Sequence, residues 1–125
     1  MKLINKTQIP DSEILELIKF AKPASVADNF TAVVKEGKNF AGFTFRYFQR
    51  FSVTMEKTTY PTIRNPLPRK GGYLTNISIL NETEYLLFLL SHELQHMASR
   101  KHTEGSCDRY GLETLDRWRK AHGSA

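Results

Sequence analysis

Residues 81–98 read NETEYLLFLLSHELQHMA, and the rest of the fold is expected to form around this stretch. Asn81 is a favourable N-cap, and Glu84 three positions later completes a capping-box-like start, so the stretch predicts a helix running toward Arg100. The apolar run Tyr85–Leu90 covers nearly every direction around this helix. We therefore expect a central, buried helix, although its apolar run is too short to span a membrane.

The second half of this helix contains the pattern His92-Glu93-Leu94-Gln95-His96, an HExxH motif. Residues four apart lie on one helical face, so both imidazoles can bind a single metal ion while Glu93 reaches a water on that ion. Burying two imidazoles and a carboxylate without partners would be costly, and a divalent metal is a suitable partner. The motif predicts a Zn²⁺ site with His92 and His96 as ligands and Glu93 as the catalytic residue.

A catalytic zinc site usually has three protein ligands, so a third is expected downstream of His96. Three residues are candidates: His102, Glu104 and Asp108. Thr103 is a suitable N-cap for a second helix that continues to about Lys120 and carries Glu104 and Asp108 on one face. The small residues Cys107 and Gly111 share that face and would let the two helices approach closely.

The segment Glu104-Gly105-Ser106-Cys107-Asp108 resembles the ExxAD element of the gluzincin metallopeptidases, with Cys107 at the alanine position. The length of the chain is similar to that of the minigluzincins, the small single-domain members of that group. The resemblance covers about residues 81 to 120. It implies His92, His96 and Glu104 as zinc ligands, Glu93 as general base and Asp108 as a residue that supports a ligand histidine.

His102 gives a different assignment, because a histidine six residues after His96 has the ligand spacing of SprT-like and WLM-type zincins. Metzincins have a similar spacing, but they require glycine where this chain has Ser99 and a later methionine turn. No methionine follows Met97. His102 and Asp108 therefore remain open as alternatives to Glu104 for the third ligand.

These motifs predict a zinc-dependent metallopeptidase that acts on a peptide or protein substrate through a metal-activated water, with Glu93 as general base. Tyr73, Tyr85 and Tyr110 are the nearest candidates for stabilising the oxyanion. One alternative is a non-catalytic, zinc-stabilised binding module. Another is an SprT-like, DNA-associated protease in which His102 is the third ligand.

Composition limits the remaining possibilities. With 125 residues and 40% hydrophobic content, the chain can bury one core, so residues 1–125 are expected to form a single zincin-like domain. The lone Cys107 excludes an intramolecular disulfide and suits a reducing compartment. Residues 1–10 lack the apolar stretch of a signal peptide, so the expected location is cytoplasmic, with no membrane association.

Upstream of the central helix, the pattern predicts one helix followed by strands. The helix opens at Asp11-Ser12-Glu13 and ends at Lys22, before Pro23. Four stretches are then predicted to be strands, because apolar and polar residues alternate in them or their composition is typical of strands: Phe30–Lys35, Phe43–Tyr47, Phe51–Met55 and Tyr73–Leu80. The expected fold class is α+β, with an N-terminal helix, a small antiparallel (mixed) sheet, the HExxH helix and a C-terminal helix. In the zincin plan an edge strand binds an extended substrate, and Tyr73–Leu80 is our candidate for it.

The segment Lys57–Gly72 contains three prolines and two glycines and is predicted to be a long irregular loop. Its basic residues and the net charge of +5 would allow contact with nucleic acid. No nucleic-acid-binding motif accompanies them, so a solvated basic surface is the favoured interpretation. The sequence does not predict an oligomeric state.

Overall fold

The computed structural model describes residues 1–37, 41–45, 49–56, 62–63, 77–99 and 101–122. Its helices are α1 (Asp11–Ala21), α2 (Glu82–Ala98) and α3 (Glu104–Ala121). Its strands are β1 (Lys2–Lys6), β2 (Thr31–Gly37), β3 (Ala41–Phe45), β4 (Arg50–Glu56), β5 (Thr62–Ile63) and β6 (Ile77–Ser78). The α+β class is therefore confirmed.

Four of the strands form one sheet in the order β1-β2-β4-β3. β1 pairs with β2 in parallel, β2 pairs with β4 in parallel, and only β3 runs antiparallel, against β4. The register of the central pair places Ala32 opposite Phe51 and Val34 opposite Val53, and all of these side chains are buried. β5 and β6 pair antiparallel in a separate two-stranded sheet.

The prediction of a small antiparallel (mixed) sheet was wrong, because the three-strand core of this sheet is parallel. One reason is that β2 pairs with β4 and not with β3, its neighbour in sequence. Another is β1, which the sequence did not reveal since only Leu3 and Ile4 in it are apolar. β1 connects to β2 through α1, and such a helical crossover joins parallel strands. The hairpin-like pairing of β3 with β4 is the antiparallel part of the sheet.

Several element boundaries agree with the sequence prediction. α1 begins at Asp11 and ends one residue before Lys22, and β2 begins one residue after Phe30. Of the predicted strand Tyr73–Leu80, the residues Ile77–Ser78 form β6, while residues 73–76 lie outside the described residues. The predicted loop Lys57–Gly72 also lies outside them, except that residues 62–63 form β5.

α2 is the central helix of the fold, as predicted. Asn81 caps it by accepting a hydrogen bond from the Glu84 backbone N–H at 2.9 Å. Every residue from Glu84 to Leu94 is buried, because the helix packs against α1, α3, β3 and β4. No helix within the described ranges combines the length and apolar character needed to cross a membrane.

α3 packs along α2 and brings its first two turns to the HExxH segment. The Thr103 hydroxyl caps α3 by accepting from the Ser106 backbone N–H at 3.1 Å, as the sequence predicted. A Cβ added at Gly111 would lie 2.7 Å from the ring of Phe88 on α2. Gly111 therefore permits a close approach of the two helices that a side chain would prevent.

The other end of α3 is fixed by an ion pair. Arg119 donates from Nη2 to Oε1 of Glu84 at 2.6 Å and from Nε to Oε2 at 2.9 Å. Oε1 of Glu84 also accepts from the Leu80 backbone N–H at 3.1 Å. The Arg119 hydrogen bond has the largest effect and holds the pKa of Glu84 below its usual range, against the effect of burial. This pair anchors the start of α2 to the end of α3.

Candidate metal centre

The two histidines of the HExxH motif lie on the same face of α2, and their Nε2 atoms are 3.2 Å apart. His92 is buried, whereas His96 is only partly covered. Both residues belong to the last two turns of the helix. This placement follows from helical periodicity, because residues four apart occupy neighbouring positions on one face.

Glu104, the first residue of α3, faces both imidazoles. Its Oε2 lies 2.8 Å from His92 Nε2, and its Oε1 lies 2.8 Å from His96 Nε2. The Thr103 cap fixes where α3 begins and so places Glu104 at this end of the helix. Its side chain is 79% exposed, so the cluster opens to solvent on the Glu104 side.

Asp108, one turn further along α3, accepts a hydrogen bond from the other nitrogen of His92. The distance from His92 Nδ1 to Asp108 Oδ1 is 2.6 Å. A neutral His92 that donates from Nδ1 has a lone pair on Nε2, which is the atom that faces Glu104. Asp108 thus orients the His92 ring with its Nε2 toward the cluster.

A neutral His92 with its proton on Nδ1 would leave two hydrogen-bond acceptors facing each other. The lone pair of a neutral His92 Nε2 and the Glu104 carboxylate are 2.8 Å apart, and no proton lies between them when His92 is neutral. A cation at this point, either a proton on His92 or a metal ion, would remove the conflict. The donor set of two imidazoles and one carboxylate is one that Zn²⁺ binds in catalytic sites.

The spacing of the donors also suits a metal. One ligand atom from each of His92, His96 and Glu104 lies within 4.8 Å of the others. Tetrahedral zinc with bonds of about 2.0–2.1 Å places its ligand atoms about 3.3–3.4 Å apart. The observed 2.8–3.2 Å separations need to widen by only a few tenths of an ångström to reach that value. The residues therefore fit a zinc ion.

Burial and the neighbouring polar and charged groups shift the pKa of two residues in this cluster, His92 and Glu93. Burial disfavours the charged form of His92, but the hydrogen bond and charge of Asp108, with the charges of Glu93 and Glu104, outweigh it and raise the pKa of His92. Burial is the largest influence on Glu93 and raises its pKa, against the opposing effects of Thr44 and the two histidines. The cluster thus attracts positive charge and contains a carboxylate with an increased proton affinity.

Glu93 lies beside the histidines and is almost fully buried, with 4% of its surface exposed. Its Oε2 is 3.7 Å from His92 Nε2, while its Oε1 accepts a hydrogen bond of 2.6 Å from the hydroxyl of Thr44 on β3. Sequence reasoning missed Thr44, because the two residues are 49 positions apart and no motif links them.

The other two candidates for the third ligand have different environments. The imidazole of His102 lies against the Gln95 amide, with 3.1 Å between their nitrogens, and is not part of the His/Glu cluster. Asp108 contacts Nδ1 of His92 rather than the Nε2 side where Glu104 lies. The positions therefore favour Glu104 as third ligand and Asp108 as the residue that orients His92.

Two of the three tyrosines predicted as oxyanion stabilisers, and Cys107, lie within the described residues. Tyr110 donates its hydroxyl to the Ala21 carbonyl at 2.5 Å, on the side of α3 that faces α1. Tyr85 is buried in the core, and Tyr73 lies outside the described residues. Burial raises the pKa of the Cys107 thiol to about 12, so at neutral pH it is protonated and serves as a small packing residue between the helices.

The chain matches no protein-family model, no curated protein and no solved structure. Any assignment of its function therefore depends on its own residues and their geometry.

Proposed function

We propose that the protein is a zinc-dependent metallopeptidase in which His92, His96 and Glu104 hold the ion and Glu93 is the general base. The observation that carries this proposal is the convergence of both Nε2 atoms and the Glu104 carboxylate within 4.8 Å, with Glu93 next to them. The resemblance to the minigluzincins, based on Glu104 and Asp108, gives the same assignment.

When bound, zinc would lower the pKa of a water molecule toward about 7 and polarise the carbonyl of the scissile peptide. Glu93 accepts a proton from the attacking water and passes it to the leaving amine. The raised pKa of Glu93 suits this exchange, because a base that is too weak would not accept the proton near neutral pH. Asp108 keeps His92 in the tautomer that leaves Nε2 available for binding.

β3 is the strand best placed to bind an extended substrate. It is the last strand in the sheet order, and no described strand pairs with its outer edge. Because Thr44 of β3 contacts Glu93, a peptide added along this edge would lie beside the base. We therefore assign substrate binding to β3 instead of the Tyr73–Leu80 segment.

The geometry favours an enzyme over a zinc-stabilised binding module. A structural zinc site normally has four protein ligands, whereas the cluster found among the described residues has three donors and opens to solvent at Glu104. A buried carboxylate adjacent to the metal ligands has a use in catalysis and none in a structural site. An SprT-like site would need His102 at the ion, and the observed contact of His102 is with Gln95.

Cleavage of a peptide library by zinc-loaded protein tests this function. We expect the wild-type chain to cleave, and we expect Glu93→Gln to bind zinc but lose at least about 100-fold in kcat, since the general base is removed. Gln95→Glu is the matched control within the motif and should retain most activity. Equal cleavage by wild type and Glu93→Gln would remove Glu93 from the mechanism, and no cleavage by the wild type would refute the peptidase.

A further inference from the structure

We propose that Thr44 is a positioning residue that holds the general base Glu93 in its working orientation. This inference rests on the proposed peptidase function, since it concerns the residue that the function requires as base. The Thr44 hydroxyl contacts Glu93 and, within the described residues, makes no hydrogen bond to the histidines or Glu104. Its effect on the reaction would therefore be exerted through Glu93.

The contact has two parts. The Thr44 hydroxyl lies 2.6 Å from Glu93 Oε1 and 3.2 Å from the backbone carbonyl oxygen of the same residue. The shorter distance directs the hydroxyl proton toward the carboxylate. Because one donor contacts both the backbone and the end of the side chain, it restricts the rotamer of Glu93 with respect to α2.

This hydrogen bond makes the two carboxylate oxygens different. Oε1 is bound by Thr44, whereas Oε2 lies toward the histidines, 3.7 Å from His92 Nε2. A proton from the attacking water would therefore be taken up by Oε2. Without the Thr44 hydroxyl the carboxylate could rotate, and neither oxygen would keep its position beside the metal ligands.

The donor itself is held firmly in place. Thr44 pairs in register with Phe51 on β4, and directly opposed residues of antiparallel strands point to the same face of the sheet. Phe51 is fully buried, and β4 and β3 both pack on α2. The hydroxyl of Thr44 is thus fixed to the sheet, while its acceptor belongs to the active-site helix.

The direct test compares Thr44→Val and Thr44→Ser with the wild type, all zinc-loaded, on a peptide that the wild type cleaves. Valine removes the hydroxyl at nearly constant shape, so kcat should fall by about 10- to 100-fold while KM and zinc affinity change less than about twofold. Serine retains the donor and should recover most of kcat. Thr54→Val, on the other face of β4, is the matched control and should keep full activity.

Each outcome has a distinct meaning. If the wild type cleaves and Thr44→Val cleaves equally well, or if Thr44→Ser is as slow as Thr44→Val, the positioning role is refuted while the peptidase stands. A rise in KM at unchanged kcat would also overturn it, because substrate binding would then be the property that Thr44 controls. If the wild type cleaves nothing, the peptidase and this inference fail together.

A second readout needs neither zinc nor activity. In metal-free protein, urea unfolding midpoints are compared for wild type, Thr44→Val, Glu93→Leu and the double variant. If Thr44 bonds to the Glu93 carboxylate, Thr44→Val should lower the midpoint more in the Glu93 background than in the Glu93→Leu background. Equal shifts in both backgrounds would show that the hydroxyl does not hold the carboxylate, and the inference would be overturned.

Discussion

Asp108 and Glu104 show how single side chains define this site. Asp108 binds Nδ1 of His92 at 2.6 Å and so directs Nε2 toward Glu104. Glu104 spans both histidines with its two oxygens at 2.8 Å each, although most of its surface is exposed. A solvent-exposed carboxylate has little reason to remain beside two imidazoles unless positive charge is present there. The positions of these two residues therefore support the proposal that the cluster binds a cation.

The buried ion pair of Glu84 with Arg119 leads to a prediction about the stability of the fold. Its carboxylate is buried and accepts two hydrogen bonds from Arg119, so Glu84→Gln should reduce the free energy of unfolding by about 2–3 kcal/mol at pH 7. The hydrogen bond from Arg119 lowers the pKa of Glu84 in the folded protein. The stabilisation by the Glu84–Arg119 pair is thus complete above the ordinary glutamate pKa of about 4.3. It is lost as the pH falls through the lower pKa that Glu84 has in the folded protein.

Urea unfolding of metal-free protein between pH 7 and pH 3 measures this effect. The difference between wild type and Glu84→Gln should be constant at neutral pH and shrink under acid conditions. Asp116→Asn is the control, because its ion pair with Lys120 is exposed and should contribute less than about 0.5 kcal/mol. If the stability difference between wild type and Glu84→Gln grew as the pH fell, the ionised Glu84 carboxylate would not be the stabilising form.

The geometry of the His/Glu cluster depends on the distance between helices α2 and α3. The two histidines proposed as ligands belong to α2, whereas Glu104 and Asp108 belong to α3. The helices are joined by the Glu84–Arg119 ion pair at one end and by the cluster at the other. Gly111 lies between these points, against Phe88, where no space for a Cβ exists.

Gly111→Ala should therefore push the helices apart. The added Cβ would meet a buried aromatic ring and lies 3.4 Å from the Phe88 carbonyl, so we expect a destabilisation of about 1–3 kcal/mol. Separation of α3 from α2 should also weaken zinc binding by at least about tenfold, since the ligands are divided between the two helices. Thermal unfolding and a competitive zinc titration measure both effects.

The control for this variant is Lys120→Ala, on the exposed surface of α3. It should leave both stability and zinc affinity nearly unchanged. If Gly111→Ala binds zinc as tightly as the wild type, the close contact of the helices is not needed to bring Glu104 to the histidines.

Across the fold, the features that could be predicted from the sequence were those governed by local rules. The Asn81 and Thr103 caps and the shared face of His92 and His96 follow from short-range hydrogen bonding and helical periodicity. Those rules also placed Glu104 and Asp108 on one face of α3. These local rules do not indicate whether Glu104 or His102 lies beside the two histidines, because the answer depends on the direction in which α3 packs on α2.

The sheet could not be derived in the same way. β1 carries only a weak apolar signal, and its parallel pairing with β2 depends on the passage of the chain through α1. The contact of Thr44 with Glu93 joins positions 49 apart, so it became visible only when β3 was placed against α2. The prediction of an antiparallel sheet failed because β2 pairs in parallel with β4 and not with β3, and local alternation does not determine which strands pair.

A zinc titration of metal-free protein, monitored by calorimetry, measures whether His92, His96 and Glu104 bind an ion, with Glu104→Ala and His102→Ala measured beside the wild type. We predict one zinc ion per wild-type chain, similar binding by His102→Ala, and a loss of at least about tenfold in affinity for Glu104→Ala. The absence of zinc binding by the wild type would contradict the account. Loss of binding in His102→Ala alone would contradict the assignment of Glu104 as third ligand.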